Sequence, residues 1–210
     1  CFDCSLYFKY HLLGEQLNMN QIINEEFLQK IIDLSSHSKT YAWELDFLSA
    51  AFAAIKPVNY LEIGSYEGRS LALFVLFASA FKIDSPWKMT SIDSWQGGDE
   101  HKKSQINMSK IENSFDEITK LCKQIAPEGS DFEKLKGDSL KGLAYLINDN
   151  RSLHYDLILI DAGHQAKNAL TDITTAWRLL KPGGIMVIDD YIWSPINANP
   201  KEVLLDSPKL

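Results

Sequence analysis

The sequence predicts a doubly wound α/β fold, a parallel sheet with both faces covered by helices, preceded by a helical cap. Three observations predict it. From about residue 57 onward, five short apolar runs alternate with stretches of helical periodicity. Short strands separated by helices imply parallel βαβ units with both faces of the sheet covered. A glycine-containing turn follows the first run and leads straight into a helix, the arrangement that places a ligand at the carboxyl edge of such a sheet.

The elements follow in order. Residues 1–56 read as the cap: Ile22, Ile23, Phe27, Ile31, Ile32 and Leu34 form one apolar stripe, residues 41–55 carry a second, and Pro57 ends it. Residues 57–210 then form the second domain. Its strands are predicted at 58–63, 88–92, 132–136, 156–160 and 185–188. Helices are predicted over 67–81, over a segment ending before Pro127, over 140–147 and over 165–180. The last is predicted to stop at Lys181-Pro182-Gly183-Gly184, since proline and glycine end helices.

Composition excludes several classes of function. With 210 residues, 45% of them hydrophobic and 23% charged, the chain has enough material for a full core. Its net charge of −7 argues against a nucleic-acid backbone or an anionic membrane as the main partner. The longest apolar run, residues 71–81, is shorter than the roughly 18–20 residues of a membrane span, and a buried helix is the better reading. Three cysteines, Cys1, Cys4 and Cys122, suit a reducing cytoplasmic compartment; Cys1 and Cys4 have zinc-ligand spacing, but no second pair accompanies them. A homo-oligomer stays open.

The turn after the first strand reads Glu62-Ile-Gly64-Ser65-Tyr66-Glu67-Gly68-Arg69-Ser70. Gly64 lets a ligand approach the backbone or adopts positive φ, Gly68 allows tight packing where the helix begins, and the helix start offers amides to a carboxylate. Tyr66 stands where dinucleotide-binding enzymes carry their middle glycine, which weighs against an NAD or FAD site. The second strand ends on Asp93, where a carboxylate can accept both hydroxyls of a ribose. It lies further from Gly64 than the roughly 20 residues of the dinucleotide pattern. The third strand ends on Gly137-Asp138-Ser139, an acid suited to an adenine amino group. Taken alone, the turn has a competing reading as a strand–helix turn that needs glycine for geometry only, and Asp93 one as a solvated strand end.

Taken in order, Glu62-x-Gly64-x-x-x-Gly68-x-Ser70, Asp93, Gly137-Asp138-Ser139 and Leu179-Leu-Lys-Pro-Gly-Gly184 resemble the successive motifs of class I S-adenosylmethionine methyltransferases, from about residue 58 to 193. Within that class the first motif resembles the catechol O-methyltransferase-like group. The resemblance implies a Rossmann-like sheet of order 3-2-1-4-5 and a cofactor, S-adenosyl-L-methionine. It implies that Glu62 and Gly64 shape the methionine pocket, that Ser65, Tyr66 and Gly68 also bind the cofactor, that Ser70 reaches the methionine carboxylate, that Asp93 holds the ribose, and that Asp138 and Ser139 border the adenine. Trp95, in the loop Trp95-Gln-Gly-Gly98-Asp99-Glu100-His101, would stack near the adenine and His101 would face the acceptor; a solvated loop is the competing reading.

The fourth and fifth strands end on Asp161 and on Asp189-Asp190. Adjacent strands would bring these carboxylates together, and like charges at close range call for a cation, for protons or for solvent. All-oxygen ligation suits Mg²⁺ or another hard divalent ion. Metal-dependent O-methyltransferases of the catechol type carry acids at these places, so the resemblance makes Asp161, Asp189 and Asp190 metal ligands, with Asp161 also touching the cofactor. His164, three residues after Asp161, resembles the base of the macrocin O-methyltransferase-like bacterial family. A small-molecule hydroxyl (sugar, phenol or natural product) is the expected acceptor. The competing readings are a metal-dependent hydrolase using the same acids and His164, a non-catalytic nucleotide-binding module, and an NAD-linked oxidoreductase. The resembling class adds two further strands after the fifth, so the domain is expected to be C-terminally incomplete, with a bare flank beside residues 185–188.

Overall fold

The computed structural model describes residues 25–38, 42–98, 101, 104–163 and 165–189. Their elements are α1 (Glu25–Leu34), α2 (Ala42–Ile55), β1 (Asn59–Ile63), α3 (Arg69–Ala80), β2 (Lys88–Asp93), α4 (Met108–Ile125), β3 (Asp131–Lys136), α5 (Ser139–Asn148), β4 (Tyr155–Ile160), α6 (Ala166–Ala176) and β5 (Leu180–Ile188). The strands form one five-stranded sheet of order β3-β2-β1-β4-β5, as expected. The pairs β1–β2, β1–β4 and β4–β5 are parallel. Ile22, Ile23, Cys1, Cys4 and the segment after Asp189 lie outside the described residues.

By contacts the chain divides into two compact units. One takes in α1, α2, α3 and nearly all of α4, so it extends beyond the expected cap of residues 1–56. Its core is aromatic: the Phe52 ring meets Phe74 edge-on at 5.0 Å and lies 5.9 Å from Phe77 and 5.8 Å from Phe81. Helix α3 is buried nearly all round, from Leu71 to Ala78 and at Ala80, which is why its sequence looks uniformly apolar rather than striped. Helix α4 buries only Ile111, Phe115, Ile118 and Cys122, one stripe at helical spacing. Among the described residues no helix is long and apolar enough to cross a membrane.

The other unit holds the sheet with α5 and α6. Leu61, Ile63, Ile92, Tyr155, Ile158 and Ile160 from the strands pack with Leu143 and Leu146 of α5 and Ala176 at the end of α6. In β1 every residue from Tyr60 to Ile63 is buried, so both faces of this strand are covered. The edge strand β5 is only half-buried along Ile185, Met186, Val187 and Ile188. Arg151, in the connection before β4, bonds the Glu133 carboxylate of β3, and Tyr155 of β4 donates to Thr90 of β2 at 2.9 Å. Burial works against the Arg151 charge, but hydrogen bonds with Glu133, Tyr155 and Asp149 outweigh it and hold its pKa above the ordinary value.

One boundary differs from expectation. The predicted helix 165–180 ends at Ala176 and closes in a single tight 3₁₀ turn, Trp177–Leu179. Lys181, Pro182, Gly183 and Gly184 are not its stop but part of β5, which begins at Leu180. They form a bulge: Tyr155 pairs with Leu180, yet Leu157 pairs with Ile185. Gly183 takes φ +81, and a Cβ on Gly184 would stand 2.9 Å from the Asp156 carbonyl oxygen, so both positions need glycine to let the strand regain register. Lys181 anchors the bulge by donating to Asp156 at 2.7 Å.

Candidate active site

The parallel ladder does not stop where the strands stop. Beyond their ends, the Gly137 amide donates to the Asp93 carbonyl (2.8 Å), Gly64 to Ile92 (2.9 Å), Asp161 to Ile63 (2.8 Å) and Asp189 to Ile160 (2.9 Å). These bonds set Asp138, Asp93, Gly64, Asp161 and Asp189 side by side along the carboxyl edge of one sheet. The strand order reverses between β1 and β4, so Gly64 and Asp161 flank the switch point, where doubly wound sheets bind ligands.

Gly64 is held by the sheet itself. It has φ +92, and a Cβ there would fall 1.8 Å from the Asp161 carbonyl oxygen. A side chain at Gly64 would therefore do more than obstruct a ligand: its first collision is with the backbone of the next strand. Beside it, Glu62 is fully buried and accepts from the Ser91 hydroxyl at 3.4 Å. Ser65 is also buried, and its hydroxyl has no partner among the described residues. A buried hydroxyl left unpaired costs about 1–3 kcal/mol, so this turn presents a polar atom suited to a ligand. Tyr66 and Gly68 both take positive φ, +46 and +85, and Gly68 caps α3 without any side-chain hydrogen bond. Ser70 follows in the first turn of α3, half-buried.

The remaining acids have local duties as well. Asp93 accepts from the Trp95 amide at 2.7 Å, closing an Asx turn. Trp95 is buried, with the Lys134 ammonium 4.5 Å from its ring centroid, so part of the ring expected beside an adenine already meets a cation. Asp138 is the N-cap of α5, accepting from the Lys141 amide at 3.3 Å. His101 accepts from the Gly98 amide through Nδ1 at 3.0 Å, which closes its own loop. Asp161 and Asp189 are half-buried neighbours. His164 and Asp190 lie outside the described residues, and among the described ones no group of three His, Cys, Asp or Glu side chains is gathered as a metal site.

Asp172 of α6 went unnoticed in the sequence, where an acid on a helix signals nothing. It is 2% exposed and lies near Ser139 and Asp138. Burial raises its pKa, the Ser139 hydrogen bond opposes the rise, and the Asp138 charge adds to it. An acid whose folded pKa is raised contributes stability that is fully present below its ordinary value and is lost as pH climbs through the folded value. Asp172→Asn is therefore expected to melt higher than the parent at pH 7, with the gap closing as pH falls towards 3.8. Melting curves recorded across that window check this; two lines that run parallel with pH would show that Asp172 carries no such cost.

A family described as "Methyltransferase domain" matches residues 61–191. Among solved structures, an O-methyltransferase from Bacillus cereus crystallised with S-adenosylhomocysteine is 21% identical with a TM-score of 0.52, covering 90% of this chain and 73% of that one. An O-methyltransferase of tomaymycin synthesis from Streptomyces achromogenes, solved with S-adenosylmethionine, is 17% identical with a TM-score of 0.53, covering 90% and 72%. A TDP-rhamnose 3′-O-methyltransferase of calicheamicin biosynthesis is 15% identical with a TM-score of 0.56, covering 85% and 80%. An uncharacterized protein of Acanthamoeba polyphaga mimivirus is 25% identical over 141 residues, 66% of this chain, and the chain spans 55% of that protein's length.

Proposed function

The chain belongs to the methyltransferase-domain family, and from that premise we propose that it moves a methyl group from S-adenosylmethionine to a hydroxyl oxygen of a small molecule. The observation that carries this reading is the unbroken edge of Asp138, Asp93, Gly64, Asp161 and Asp189. Asp93 would accept the two ribose hydroxyls, Asp138 and Ser139 would border the adenine with Trp95 close by, and the turn from Glu62 through Ser65 and Tyr66 to Gly68 and Ser70 would receive the methionine end. The sulfonium supplies an electrophilic methyl carbon. What the protein must supply is an oxygen held in line with the breaking S–C bond and a place for its proton.

Asp161, Asp189 and Asp190 form the second half of the reading. Asp161 and Asp189, half-buried at the ends of neighbouring strands, would bind a divalent cation such as Mg²⁺, with Asp190 as the third ligand. Such an ion lowers the pKa of a bound hydroxyl. His164, with an ordinary pKa of about 6.5, would take the proton at neutral pH. The acceptor is a sugar, a phenol or a related natural product; the TDP-rhamnose and tomaymycin-synthesis O-methyltransferases of similar fold support that class.

Titration calorimetry with S-adenosylmethionine, with and without Mg²⁺, tests the reading. Micromolar binding is expected in both conditions. Methyl transfer is expected to vanish in EDTA and return with Mg²⁺, and His164→Ala is expected to lower turnover far more than cofactor affinity. Absence of binding would remove the donor. Full activity in chelator would leave Asp161 and Asp189 as purely electrostatic features.

A further inference from the structure

Glu67 sits inside the turn that leads to α3, yet its carboxylate serves a segment thirty residues earlier. It is 1% exposed. Four donors converge on it: the His37 amide at 3.0 Å, the His37 ring Nδ1 at 3.1 Å, the Ser38 amide at 2.7 Å and the Ser38 hydroxyl at 2.7 Å. Two residues on, the Arg69 guanidinium donates from Nε to the Ser35 hydroxyl at 2.8 Å and from Nη2 to the Ser35 carbonyl at 2.6 Å. Ser35 is itself fully buried, its hydroxyl donating to the Ile31 carbonyl at the end of α1. Thus the turn after α1 and the head of α3 are clamped together by part-buried, charge-assisted bonds, a kind about twice as strong as neutral ones.

The clamp falls where the backbone needs it. Tyr66, the residue before Glu67, takes φ +46, and Gly68, the residue after, takes φ +85. A non-glycine residue in the left-handed region costs roughly 1–2 kcal/mol and persists only where its surroundings fix it. Glu67 lies between the two and is fixed at four points. We propose that Glu67 is a positioning residue: by holding the segment from Ser35 to Ser38, it keeps Tyr66, Gly68 and Ser70 in the shape that receives the methionine end of the methyl donor. This rests on the proposed function. It assigns Glu67 no contact with substrate.

The test compares two ligands that share the adenosine and differ in the methionine end. Calorimetry would measure S-adenosylmethionine and 5′-methylthioadenosine against the parent, Glu67→Gln and Ser38→Ala, with melting curves alongside. Glu67→Gln keeps the shape but its amide cannot accept from all four donors. It is expected to weaken S-adenosylmethionine tenfold or more while changing 5′-methylthioadenosine less than twofold. Ser38→Ala, which removes one donor, is expected to shift the same ratio in the same direction by less, and it decides the matter if Glu67→Gln does not fold. Equal losses for both ligands, or unchanged binding of S-adenosylmethionine, would overturn the positioning role alone. A parent that binds neither ligand would overturn the proposed function and this role with it.

Discussion

Gly64→Ala is expected to destabilise the protein by about 3 kcal/mol or more and to abolish binding of the methyl donor with it. Two costs combine. Alanine at φ +92 is strained wherever it stands, by roughly 1–2 kcal/mol. The new Cβ would also fall 1.8 Å from the Asp161 carbonyl oxygen and 2.5 Å from its carbon. Those are backbone atoms of the neighbouring strand, with no rotamer to turn away. Relief means moving Asp161, whose amide is bonded to the Ile63 carbonyl at 2.8 Å, and overpacking of this kind typically costs about 1–3 kcal/mol. Gly163→Ala is the control on the same edge: among the described residues its Cβ would meet nothing nearer than Asn168 Nδ2 at 4.0 Å, so a change within about 0.5 kcal/mol is expected. Denaturant midpoints of the three proteins measure the difference. A Gly64→Ala protein as stable as the Gly163→Ala one would mean that the β1–β4 edge yields far more easily than its hydrogen bonding implies.

Asp93→Asn is expected to weaken S-adenosylmethionine about 10- to 100-fold and to leave the melting temperature nearly unchanged. The variant separates two jobs. One carboxylate oxygen accepts from the Trp95 amide at 2.7 Å, and an asparagine carbonyl can accept the same bond, so the turn survives. What disappears is the charge. Hydrogen bonds to a charged group are worth about 1.5–3 kcal/mol, which corresponds to that range of affinity. Asp93→Ala removes both jobs and is expected to lose stability as well as affinity. Calorimetry on the folded Asn variant decides: affinity equal to the parent's would place the ribose away from Asp93.

Much of this was legible from residues alone because the signals were local. Strands β1, β4 and β5 announce themselves as short apolar runs, all five strands lead into an acid or a glycine, and the ladder continues through those very residues. Strand ends are legible because burial stops where polarity starts. Asp93, Asp138, Asp161 and Asp189 could therefore be placed on one edge from the strand predictions and the familiar order of the motifs. Lys181-Pro182-Gly183-Gly184 misled for the same reason that it looked clear. Proline and glycine end a helix locally, but pairing with a distant strand lets the same residues form a bulge within β5.

The amino-acid sequence by itself determined the class of fold, the order of its elements, the family motifs and the chemistry available at each strand end, since these follow from periodicity and residue type along a single chain. Only the tertiary structure decided why Gly64 must be glycine, what Glu67 is for, and that Asp172 is buried beside Ser139. Each of those depends on a partner far along the chain: Gly64 on Asp161, Glu67 on His37 and Ser38, Asp172 on α5. Such pairs leave no trace in local pattern, because folding brings them together through the packing of whole elements, and desolvation then turns an ordinary carboxylate or glycine into a constraint.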